Sequence, residues 1–124
     1  MFTLFRRDPN SLSWMTPPVD AFCRGFDVDS VKGFLQRVAV HVDAGFGGGE
    51  IARVTALLNA MQREESRELS FSIRFHGGDS VFRIRVFMDD IDAPDVCFLA
   101  PPALTHSIRQ EFARYTRDLG LALA

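Results

Sequence analysis

The chain is short of polar aromatics and of one of the two common cations. Among 124 residues it has one tryptophan and one tyrosine against twelve phenylalanines, and of fourteen Lys and Arg residues only Lys32 is a lysine. Phenylalanine has no polar tip to satisfy, so a chain rich in it can fill a dry core or present rings at an interface. Arginine in place of lysine reads first as the coding bias of a GC-rich bacterial genome, and second as use of its planar fork at contacts. The two cysteines, Cys23 and Cys97, match no metal-binding or redox spacing. They read as buried thiols of a reducing compartment; the alternative, one long-range disulfide, would imply export. No run approaches the roughly 20 apolar residues that span a bilayer. The start, MFTLFRRDPN, lacks the basic, apolar and small-residue order of a signal peptide. The expectation is a cytoplasmic protein away from membranes. A net charge of −2 with a pI near 5.9 argues against general binding to nucleic acid or anionic membranes, which needs a positive surface.

What is present fits one globular domain over residues 1–124, with 47% apolar and 24% charged residues. Residues 1–28 read as an irregular arm broken by Pro9, Pro17 and Pro18. Phe2, Leu4 and Phe5 suit a short strand or an apolar strap, and Trp14, Met15, Phe22 and Phe26 pin the arm to the body. A first helix is expected from about Ser30 to Val42, capped by Asp29 or Ser30, with Val31, Phe34, Leu35, Val38 and Val42 on one stripe and Gly33 as a weak point. After AGFGGGE a second helix runs from about Glu50 to Arg63, with Ile51, Val54, Leu57, Leu58 and Met61 inward.

The middle of the chain changes period. ELSFSIRFH alternates strictly, and SVFRIRVFM alternates again. Gly77-Gly78 between them suggests a two-residue turn with both positions at positive φ. That turn would pair Ile73 with Phe82, Phe71 with Ile84 and Leu69 with Val86 on one face, and Ser72 with Arg83 and Ser70 with Arg85 on the other. DVCFLA reads as a third strand completing a meander. Pro101-Pro102 opens a last helix with Leu104, Ile108, Phe112, Tyr115 and Leu119 inward and Gly120 as its stop. The fold class is therefore α+β, a three-stranded antiparallel β-meander with helices packed on one face, in the order α-α-β-β-β-α.

Four segments carry chemistry. MDDIDAPD places Asp89, Asp90, Asp92 and Asp95 in the connection after the second strand. Its spacing does not fit an EF-hand, and Asp is a common turn residue, so a soluble loop or a docking surface for a basic protein partner is expected rather than a metal site. Arg74, Arg83 and Arg85 project from the polar sheet face as a solvated charged surface or, alternatively, an anion-binding one. AGFGGGE has the glycines of an anion loop, but a helix precedes it, no Lys-Ser or Lys-Thr follows, and Glu50 stands at its mouth, so it reads as an interhelical turn. Phe46 within it is either an exposed contact or a plug into the core. Neither cysteine is linked by any motif to His41, His76 or His106, and Cys97 lies in an apolar strand, which argues against a thiolate nucleophile.

The functional expectation is a small non-catalytic protein-binding module that needs no cofactor and no metal. Bacterial immunity proteins, inhibitors and secretion chaperones are the matching types. The alternative is a small-molecule or enzymatic α+β domain with an anion pocket at Arg74, Arg83 and Arg85. A homodimer through an exposed sheet edge is a third possibility.

Overall fold

The computed structural model of the chain describes the backbone of residues 13–15, together with residues 27–88 and 94–119. In chain order these form β1 (Ser13–Met15), α1 (Val28–Ala39), α2 (Gly48–Ala60), β2 (Ser66–Phe75), β3 (Gly78–Met88), β4 (Pro94–Ala100) and α3 (Pro102–Asp118). The antiparallel sheet has the order β1-β4-β3-β2, so the expected meander is present and β1 extends it beyond β4. A strand at Ser13–Met15 was not expected from the sequence. The rest of the arm, including Phe2, Leu4, Phe5, Phe22, Cys23 and Phe26, lies outside the described residues, as does Gly120.

Helix α1 begins two residues before the expected start. The chain is extended at Asp27, whose carboxylate accepts from the Ser30 amide at 2.9 Å, and Asp29 sits in the first turn where the helix dipole favours it. The helix stops at Ala39, not Val42, yet the following turn still returns Val42 to the core. Helix α2 also starts and ends earlier than expected. Glu50, rather than guarding a ligand, turns back to accept from the Gly47 amide at 2.7 Å, which is the return half of a capping box. In α3, Leu104, Ile108, Phe112 and Tyr115 are buried as expected, but Leu119 caps the helix and is 44% exposed.

The hairpin turn falls one residue earlier than Gly77-Gly78. His76 and Gly77 carry the positive φ values, 52° and 77°, and Phe75 pairs with Gly78. Moving the turn by one shifts the register by two, so Phe71 meets Phe82 and Leu69 meets Ile84. A two-residue shift leaves every side chain on its expected face, and so hydrophobic alternation alone cannot detect it. It also sets Glu68 opposite Arg85 and Arg74 opposite Asp79, cross-strand charge pairs that the other register lacks.

All three helices cover one sheet face. Phe71, Ile73, Phe82, Ile84, Val86, Val96 and Phe98 are buried against Val31, Phe34, Leu35, Val38, Ile51, Val54, Leu58, Leu104 and Ile108. Phe46 is the plug: its ring meets Phe82 at 4.9 Å and Phe71 at 5.4 Å, both edge to face. The strap that delivers it lies against β2, where Ala44 bridges to Arg74. Gly45, at φ 94°, is required there, because a Cβ would overlap the Ser72 carbonyl oxygen.

Two predictions follow from this packing. A Cβ on Gly33 of α1 would overlap the Tyr115 hydroxyl. Gly33→Ala gains up to about 1 kcal/mol of helix propensity against an overpacking cost of about 1–3 kcal/mol. It is expected to lower stability in urea denaturation, and Tyr115→Phe in the same chain to recover most of the loss. Asp27→Ala is expected to cost about 1 kcal/mol. The Ser30 amide, then its hydroxyl, holds the Asp27 carboxyl below its ordinary 3.8. The cap's contribution is therefore complete above that value and is lost as pH falls through the lower folded-state pKa. The gap between wild type and Asp27→Ala should be full at neutral pH and narrow in acid.

Candidate functional site: the outer face of the sheet

The alternation that sends Phe82, Ile84, Val86 and Met88 of β3 inward sends Arg83, Arg85 and Phe87 outward. Pairing on both sides of β3 places these three in rows: Ser70–Arg83–Leu99, Glu68–Arg85–Cys97 and Ser66–Phe87–Asp95. The rows are rigidly spaced because β3 is hydrogen-bonded to a neighbour along each edge.

The arginines do not form one group. Arg85 donates to Glu68 at 3.3 Å, while Arg83 approaches the same carboxylate only at 3.8 Å. Arg74 stands at the hairpin end and donates to Asp79 at 3.4 Å. The open hollow beside Arg74 is lined by Ser72, Asp79, Ser80 and the Ala44–Gly45 strap, and it does not extend to Arg83 or Arg85. The structure thus brings Arg83 and Arg85 together around Glu68 and leaves Arg74 apart.

Of the four aspartates in MDDIDAPD, Asp89, Asp90 and Asp92 lie outside the described residues. Asp95 is placed on β4 opposite Phe87. Its Oδ1 is buried, with no hydrogen-bond partner among the described residues. Phe87 itself is 37% exposed, which is high for a phenylalanine on a sheet.

The remaining candidates are spread over the molecule. Cys97 is a thiol, half-buried on the outer side of β4. His76 occupies the hairpin turn, its ring stacked on Phe75 at 3.9 Å. His41 faces Glu111 at 3.0 Å, and Glu111 also accepts from Arg114 at 3.1 Å. Nearby, Arg37 meets Asp118 at 2.6 Å and lies over the Tyr115 ring. These polar contacts close the seam between α1 and α3. Burial pushes the Tyr115 phenol above its usual value, the opposing pull of Arg37 being smaller. Among the described residues no group of three or more His, Cys, Asp or Glu side chains is arranged to hold a metal ion. No helix among them is long and apolar enough to cross a membrane.

Sequence reasoning overlooked Glu68 and Phe87 as members of this face. Phe87 was accessible by parity, since it shares its side of β3 with Arg83 and Arg85. Glu68 was hidden because the register expected from the sequence sets Ser70 opposite Arg85, whereas the observed register, shifted by two, sets Glu68 there. Comparison with protein-family models, curated proteins and solved structures finds no match to this chain.

Glu68→Gln removes the carboxylate that both arginines approach. Exposed ion pairs contribute about 0–1 kcal/mol, so urea denaturation of this variant is expected to show a loss of less than about 1 kcal/mol, smaller still in high salt.

Proposed function

We propose that the protein is a non-catalytic protein-binding module that works through the outer face of its sheet. The observation that carries this reading is the exposed Phe87 ring, flanked by Arg85 along β3 and by Asp95 across the sheet. Aromatic and arginine side chains dominate the energetics of protein interfaces, and a paired strand holds them in place before a partner arrives, which lowers the ordering cost. Immunity, inhibitor or chaperone action in the bacterial cytoplasm fits such a face. Asp89, Asp90 and Asp92 join the ends of β3 and β4 in the chain and supply negative charge for a basic part of the partner, which raises the rate of encounter. A second copy of the chain is one form of partner, and it would give a mass near twice 13.9 kDa. The anion-pocket alternative draws less support, since Arg74 stands apart from Arg83 and Arg85.

The test is affinity capture from a lysate of the source organism, with wild-type chain and Phe87→Ser as parallel baits. The expected result is an enriched protein that the variant loses, with thermal unfolding of the two baits nearly the same. Equal recovery on both baits, or none on either, would count against this surface.

A further inference from the structure

The outer face has a direction, and that direction says what its partner should carry. Arg83 and Arg85 stand two residues apart on β3 beside one carboxylate, Glu68. Glu68 accepts its hydrogen bond from Arg85. Arg83, at 3.8 Å, is beyond hydrogen-bond range of it and is 46% exposed. Its cross-strand neighbours are Ser70 and Leu99, so its row contains no acid. Glu68 is thus approached by both arginines, and of the two only Arg85 is within hydrogen-bond range of it. At the other end of this stretch of β3 stands Phe87, with Asp95 beside it on β4.

We propose that Arg83 is the docking point for a carboxylate of a protein partner. The partner's contacting segment is extended and carries an apolar side chain about 13 Å from that carboxylate, the separation of Arg83 and Phe87 along a strand. The guanidinium fork takes the carboxylate side-on, the apolar side chain covers the Phe87 ring, and Asp95 favours a donor or cation beside that ring. The proposal rests on the reading of the outer face as the binding surface and adds the chemistry and orientation of what binds.

The probes are three synthetic octapeptides, identical except for Glu, Gln or Lys at the second position, each with Leu at the sixth. They are titrated into the isotope-labelled full chain and followed by NMR at the arginine Nε–H groups and backbone amides. The Glu peptide is expected to shift the Arg83 Nε–H together with the Leu99 and Phe87 amides, saturably and at least tenfold more tightly than the Gln peptide. Arg83→Gln is expected to abolish that preference, and Arg74→Gln to leave it unchanged. Equal affinity for the Glu and Gln peptides overturns the proposal, as does a response that maps elsewhere, the absence of saturable binding, or an Arg83→Gln chain that behaves as wild type. An Arg83→Gln bait in the lysate capture separates the two levels. A partner lost with Phe87→Ser but retained with Arg83→Gln leaves the binding face standing and removes the carboxylate clamp. A partner retained by both variants removes the face as well.

Discussion

A continuous chain of aromatic rings ties this fold together. Phe71 touches Phe46, Phe46 touches Phe82, Phe82 stacks on Phe98, and Phe98 meets Phe34, which in turn meets Phe112 and Tyr115. Along that path the contacts pass from β2 through the interhelical strap to β3 and β4, then to α1 and α3. Edge-to-face geometry recurs in it, the arrangement that the ring quadrupole favours. Phenylalanine suits such a chain because no ring in the centre has to find a hydrogen-bond partner. Tyr115, which does carry a hydroxyl, sits at the outer end of the path, where Gly33 makes room for the oxygen and Arg37 lies over the ring.

This constraint explains the strap. AGFGGGE has the look of a loop that binds something, yet its glycines serve the ring they surround. Phe46 can reach Phe82 only if the backbone presses against β2, and Gly45 permits that approach. The same contact places Ala44 alongside Arg74 and covers part of the β2 edge, which would otherwise offer unpaired amides to other chains. Burying one aromatic side chain thus also protects a sheet edge.

With all the helices drawn to the aromatic side, the other face of the sheet carries Glu68, Arg83, Arg85 and serines, with Phe87, Cys97 and Leu99 among them. Its chemistry is the complement of the core. Every inward phenylalanine or aliphatic residue of β3 commits its neighbour to face outward, so the ordering of Arg83, Arg85 and Phe87 is set by the packing of Phe82, Ile84 and Val86. A surface produced in this way is rigid, because its side chains are rooted in a strand that is hydrogen-bonded along both edges. That rigidity is what recommends the face for the proposed recognition.

Much of this was legible in the sequence by itself. Period-two alternation in residues 68–88 and helical spacing in the flanking segments determined the element order, the α+β class and the face on which each strand residue lies, because both periods are imposed by local backbone geometry. Proline and glycine marked the breaks. Local geometry could not choose between registers two residues apart, since both bury the same side chains; only cross-strand pairing decided that the turn falls at His76-Gly77 and that Glu68 stands beside Arg85. Nor could it decide that residues 13–15 add a strand to β4, that Phe46 points inward, or that Arg74 parts company with Arg83 and Arg85. Each of these depends on which distant segments meet, and the packing of the aromatic core settles that.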